Sequence, residues 1–102
     1  MNMIKQQNEV ALEILRQLGN NKFLAMTGAN NLTYDKNSLS FKLGGRGKIT
    51  HINIMLNVFD TYDITFYKIV KNEIKFKETV INVYSDQLQD VFVRHTGIAI
   101  RL

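Results

Sequence analysis

The chain of 102 residues contains no cysteine, no proline and no tryptophan. Without cysteine there is no disulfide, no thiol nucleophile and no thiolate metal ligand, which fits a reducing interior. Without proline, no cis-prolyl step slows folding. Long apolar runs are missing too: nothing approaches the ~18 residues that span a membrane. The N-terminus, Met1 to Arg16, scatters Gln, Asn and Glu through an amphipathic pattern, unlike a secretory signal. The cytoplasm is the expected location.

What is present suffices for a packed core. Hydrophobic residues make up 45% of the chain, an ordinary fraction for a globular protein, and the length fits one domain over residues 1–102. The formal net charge is +4, and its placement is uneven. Between Lys36 and Lys77 eight basic residues face three acids, a surplus of five, whereas the remainder is near neutral. Such a patch attracts phosphate backbones or an acidic protein surface. Lysines also decorate strand edges to discourage aggregation, and the sequence leaves both readings open.

Period-two alternation dominates the middle of the chain. Thr50 to Val58 sets Thr50, Ile52, Ile54, Leu56 and Val58 on one face, with His51, Asn53, Met55 and Asn57 on the other. Tyr62 to Val70 alternates likewise, through Tyr62, Ile64, Phe66 and Val70. A third strand is expected from Ile74 to Val83, with Ile74 and Phe76 sharing a face and a phase change near Glu78-Thr79 that suggests a bulge or sharp bend. Phe59-Asp60-Thr61 and Lys71-Asn72 supply the reversals. Upstream, Ser38 to Leu43 points Leu39, Phe41 and Leu43 inward, and Leu32 to Tyr34 reads as a short strand before the turn Asp35-Lys36-Asn37. The apolar run Lys22 to Met26 reads as a buried strand entering a turn.

Helices bracket this sheet. Ile4 to Leu18 carries Ile4, Ala11, Ile14, Leu15 and Leu18 on one stripe and stops at Gly19. Tyr84 to His95 has Ser85 as expected N-cap, Asp86 in its first turn and Gly97 beyond its end. Ile98, Ile100 and Leu102 alternate, predicting a short terminal strand. The fold class is α+β: an antiparallel β-meander of about four to six strands flanked by an N-terminal and a C-terminal helix.

The chemistry-bearing residues form no catalytic constellation. His51 and His95 have no metal-ligand neighbour at a recognised spacing, and both read as structural. Asp60 and Asp63 flank a turn, where Asp commonly serves local hydrogen bonding; as a paired-carboxylate site they give a metal-dependent hydrolase or nuclease as the third-ranked function. Gly44-Gly45-Arg46-Gly47-Lys48 lacks the spacing and the following helix of a phosphate loop and reads as a flexible basic hairpin. No catalytic residue, cofactor or metal ligand is nominated. The candidate macromolecule-binding residues are Lys42, Arg46, Lys48, Tyr67, Lys68, Lys71, Lys75 and Lys77, with Tyr67 the sole stacking candidate. Met55, Tyr67 and Ile69 form a candidate apolar patch for homodimerisation, with an exposed sheet edge as the other route.

Several stretches occur in a telling order. Asn21-Lys22-Phe23-Leu24-Ala25-Met26-Thr27-Gly28-Ala29 comes first, then Leu39-Ser40-Phe41-Lys42. Leu56-Asn57-Val58-Phe59-Asp60-Thr61-Tyr62-Asp63-Ile64-Thr65-Phe66 follows, then Tyr84-Ser85-Asp86-Gln87-Leu88, Phe92 and Thr96-Gly97. Together these resemble a family of small uncharacterised proteins of bacteriophages, prophages and integrative elements, across roughly residues 20 to 102. Val58 departs from that pattern, where glycine often follows Leu-Asn. The resemblance implies a mobile-element accessory protein of the bacterial cytoplasm and carries no functional residues with it. The leading expectation is a non-enzymatic protein that binds a host or phage macromolecule, as an inhibitor of host defence for instance. The alternative is a nucleic-acid-binding module using the basic sheet region.

Overall fold

The computed structural model describes residues 9–44 and 47–98. Helix α1 spans Glu9–Leu18 and buries Ala11, Ile14 and Leu18, the stripe expected from their spacing. The expected start at Ile4 lies outside the described residues. Gly19, at φ 126°, turns the chain directly into a second helix, α2 (Asn20–Thr27), where the sequence suggests a strand over Lys22 to Met26. Phe23 to Met26 is an unbroken apolar run, which displays neither period. Intrinsic preference then decides, since Lys22 to Met26 holds no β-branched residue while Lys, Leu, Ala and Met all favour helix. Helix α2 buries Phe23 and ends at Gly28, whose left-handed conformation (φ 70°) lets its N–H reach the Leu24 carbonyl.

Five strands follow: β1 (Asn30–Tyr34), β2 (Ser38–Lys42), β3 (His51–Leu56), β4 (Tyr62–Val70) and β5 (Glu73–Val83). They form one antiparallel sheet whose spatial order is the chain order. The fold class is therefore the expected α+β meander. A 3-10 turn, Ser85–Gln87, leads into helix α3 (Leu88–Thr96). The helix expected to begin at Tyr84 with Ser85 as its cap starts later. Tyr84 stays extended (φ −76°, ψ 155°) and donates its N–H to Gln87 Oε1 at 3.2 Å, which holds a tight turn ahead of the helix. Gly97 closes α3 in the left-handed region, as expected. The terminal strand expected beyond Ile98 lies outside the described residues. No helix among the described residues is long and apolar enough to cross a membrane.

The three helices bury themselves on one sheet face. Leu39 and Phe41, Ile52 and Ile54, and Tyr62, Ile64 and Phe66 alternate inward from β2, β3 and β4 to meet Ile14, Leu18, Phe23, Leu88 and Phe92 in one core. Phe23 is its keystone, edge-on to Phe41 (5.6 Å) and to Phe92 (5.1 Å). Gln89 of α3 donates to the carbonyls of Gln17 and Leu18, satisfying the open end of α1 and tying the two helices together. Among the described residues nothing covers the opposite face.

Two features of the strands depart from their sequence reading. Val58 is not part of β3; it is 93% exposed in the following turn. Asn57 ends the strand early because its side-chain Oδ1 accepts from Phe59 N, Thr61 N and Thr61 Oγ1, building a five-residue loop around Phe59. In place of a single phase change near Glu78-Thr79 there are two bulges on β5, one at Lys75 and one at Ile81-Asn82, where Asn82 adopts φ 57°. Asp63 Oδ1, bonded to Asn57 Nδ2 at 2.9 Å, accepts the Asn82 N–H at 3.1 Å and fixes the second bulge. Consequently Ile74 and Phe76 do not share a face. Phe76 packs on the core with Val80 and Val83, while Ile74 pairs with Ile69 on the open face and Ile81 is exposed.

Candidate nucleic-acid interface

The open face is built by the residues that alternate away from the core, and register decides which of them meet. Lys42 pairs with His51, His51 with Tyr67 and Tyr67 with Lys77. Four side chains of four successive strands therefore stand in one line across the sheet: ammonium, imidazole, phenol ring, ammonium. Lys77 Nζ lies 5.9 Å from the centroid of the Tyr67 ring. His51 and Tyr67 are both half-buried. The next line is short and polar: Ser40, Asn53, Thr65 and Thr79, joined by Asn53 Nδ2 donating to Ser40 Oγ (2.7 Å) and by the Thr65–Thr79 hydroxyl pair (3.1 Å). A shallow groove of about 360 Å³ runs along β1 to β4 here, floored by Ser40, His51, Asn53 and Tyr67.

Thr50 organises the rim. Its Oγ1 accepts the Ile69 N–H at 2.9 Å and sits 2.7 Å from His51 Nδ1, so one hydroxyl fixes both the end of β4 and the imidazole. Desolvation, and then the neighbouring Lys42 charge, push the His51 pKa below its usual 6.5. The imidazole is thereby kept neutral near pH 7.

The remaining candidate cations gather at the same end of the sheet on different surfaces. The β2–β3 connection and the β4–β5 turn share this end. Lys48 and Lys68 face the helix side: Lys48 Nζ sits 4.8 Å over the Phe76 ring, and Lys68 Nζ donates to the Gly47 carbonyl at 2.9 Å. Lys71 occupies the turn tip at φ 52°, beside Asn72 at φ 66°, the paired left-handed conformation of a two-residue hairpin. Lys75 in its bulge pairs with Glu73 at 2.7 Å. Arg46 lies outside the described residues. The structure thus brings Lys42, Tyr67 and Lys77 onto one surface, sets Lys48 and Lys68 behind them and leaves Lys71 and Lys75 at the edge. The far end of the sheet is its electrical opposite, carrying Asp35, Asp60, Asp63 and Asp86 against Lys36.

His51 reads as merely structural from the sequence, and the register explains why its place in this line is hidden there. A strand running to Val58 and a turn at Phe59-Asp60-Thr61 would set His51 opposite Ile69; the loop centred on Phe59 sets it opposite Tyr67. Likewise, an unbulged β5 would place Phe76 beside Tyr67, and the bulge at Lys75 substitutes Lys77. The usable signal is the Asn57 side chain, a turn former that shortens β3.

The other chemistry-bearing groups have evident work within the fold. His95 stacks on Phe66 (4.9 Å, 15° between planes) with Nδ1 3.2 Å from Glu78 Oε1. Asp63 holds the bulge, and Asp60 takes the left-handed turn position at φ 65°. Among the described residues no group of three or more His, Asp and Glu side chains could hold a metal ion. No family model, curated protein or solved structure matches the chain.

Proposed function

We propose that the protein is a non-enzymatic binding module that holds nucleic acid against the electropositive end of its open sheet face. The observation that carries this reading is the convergence of Lys42, Lys48, Lys68, Lys71, Lys75 and Lys77 on one end of the sheet, with Lys42 and Lys77 flanking two half-buried rings on the open face. Lysines at that end neutralise phosphates and release condensed counterions, so affinity falls steeply with salt. Fluorescence anisotropy with labelled DNA and RNA, single- and double-stranded, tests it. Binding at low salt that weakens linearly in log–log form as salt rises is expected. Absence of binding to every form at low salt defeats the reading.

A second reading rests on a different surface. Val58 and Phe59 project from the β3–β4 loop at 93% and 75% exposure, with Met55 and Ile81 exposed on the same end of the face. Apolar side chains so placed suit a protein contact. An accessory protein of phages or mobile elements would use them in the bacterial cytoplasm to occupy a host or phage protein, for example one of host defence. Pull-down from a bacterial lysate over a range of salt, with and without Phe59→Ser, tests this. A partner lost on that substitution supports it, and an empty pull-down at all salts counts against it.

A further inference from the structure

We infer that the Lys42–His51–Tyr67–Lys77 line is a site for unpaired bases, two of them side by side, so that the preferred ligand is a single strand rather than a duplex. The inference rests on the nucleic-acid reading and adds the ligand class.

The geometry supplies three reasons. Adjacent strands lie ~4.8 Å apart, and the register makes His51 and Tyr67 neighbours across β3 and β4, with Lys42 and Lys77 one strand further out on either side. Two rings between two cations match two bases between two phosphates of a strand crossing the sheet. Secondly, the surroundings of the rings are low. Ser40, Asn53, Thr65 and Thr79 carry short side chains, and they are the next line on the same face. Nothing in this line projects far enough to enter a duplex groove and read base edges there. A base must come down to the rings, and only an unstacked base can. Thirdly, Lys77 Nζ lies 5.9 Å from the centroid of the Tyr67 ring, so the ring is within reach of a long cationic side chain. A base stacked on Tyr67 takes that place, and the long lysine swings to the adjacent phosphate. The hydroxyls and amides of the neighbouring line then lie within reach of base edges without selecting one base, which predicts weak sequence preference.

The test compares three ligands on the whole chain: a ten-nucleotide single strand, a blunt duplex of the same sequence, and a strand of equal length with abasic sites replacing the bases. The single strand is expected to bind at least about tenfold tighter than either of the others at equal salt. Tyr67→Ala is expected to lose about tenfold or more in single-strand affinity with an unchanged salt slope, since stacking and not charge is removed. Tyr67→Phe keeps the ring and is expected to retain the affinity. Equal or tighter binding of the duplex, or of the abasic strand, overturns the inference while leaving the nucleic-acid reading intact. Failure of all three ligands to bind removes both. The ligand comparison uses the unaltered protein, so it decides the matter even where Tyr67→Ala fails to fold.

Discussion

His51 illustrates how much one residue's meaning depends on its neighbours. Its ring is half-buried between Lys42 and Tyr67, and both desolvation and the lysine charge disfavour protonation. A histidine whose folded-state pKa lies below its unfolded value binds fewer protons folded than unfolded. Its contribution to stability is therefore full above pH ~6.5 and is lost as pH falls through the folded value. Because Lys42 is the lesser of the two causes, Lys42→Met should raise the His51 pKa while leaving it under 6.5. Titration of the imidazole ring protons by NMR reads this directly; an unchanged value would mean the lysine charge is screened at the surface. Lys42 thus adds to the desolvation that disfavours a charge on the ring beside it.

Strand ends and bulges show the same dependence at the scale of elements. The Asn57 side chain joins the β3–β4 loop to the β5 bulge: Oδ1 receives the loop donors, and Nδ2 donates to Asp63 Oδ1 and Asn82 Oδ1. Asn57→Ala should cost about 1–3 kcal/mol, because it leaves several partly buried groups unpaired at once. Urea denaturation measures it, and a loss below about 0.5 kcal/mol would show that water replaces the side chain freely. These local devices also mark the limit of what the sequence discloses. β4 is legible, since Tyr62 to Phe66 alternates cleanly and a two-residue turn follows Val70. The inward set Leu39, Phe41 and Leu43 is legible for the same reason. Helix α2 is not, because Phe23 to Met26 is an unbroken apolar run that carries no period. An irregularity in β5 is legible, but the number and places of its bulges are not, because they are fixed from outside the strand, by Asp63 and by pairing with β4. The line across the open face is half legible. Tyr67 and the lysines are visible as residue types, whereas their meeting with His51 depends on a loop set by Asn57 and a bulge at Lys75.

For the whole molecule, the segregation of charge and the asymmetry of the sheet act together. One face is sealed by helices and the other is open, while six lysines gather at one end of the sheet and four aspartates at the other. Both edge strands carry bulges, at Asn31 in β1 and at Lys75 and Asn82 in β5, and the inner pairings carry none. Such edges resist strand addition by a second copy. The carboxylates then govern the response to acid. Glu13 accepts hydrogen bonds from Arg16 and Gln17, which lower its pKa to about 2. Asp35 is lowered by the Asn37 N–H and the Ser38 hydroxyl. For a carboxylate held below its unfolded value, the unfolded chain binds the proton first as pH drops. The stabilisation is complete above the unfolded pKa and disappears as pH falls through the folded one. Over the same range the thirteen Lys and Arg residues lose their nine acidic counterweights, and self-repulsion grows at the basic end. The urea midpoint should therefore decline steadily from pH 5 and still be falling near pH 2, where Glu13 takes up its proton. Glu13→Gln should flatten the lowest part of that curve and leave the upper part, to which Asp35 contributes, in place. A midpoint that is already level below pH 4 in the unaltered protein would show that the exposed Glu13–Arg16 pair adds nothing to stability, as many surface ion pairs do not.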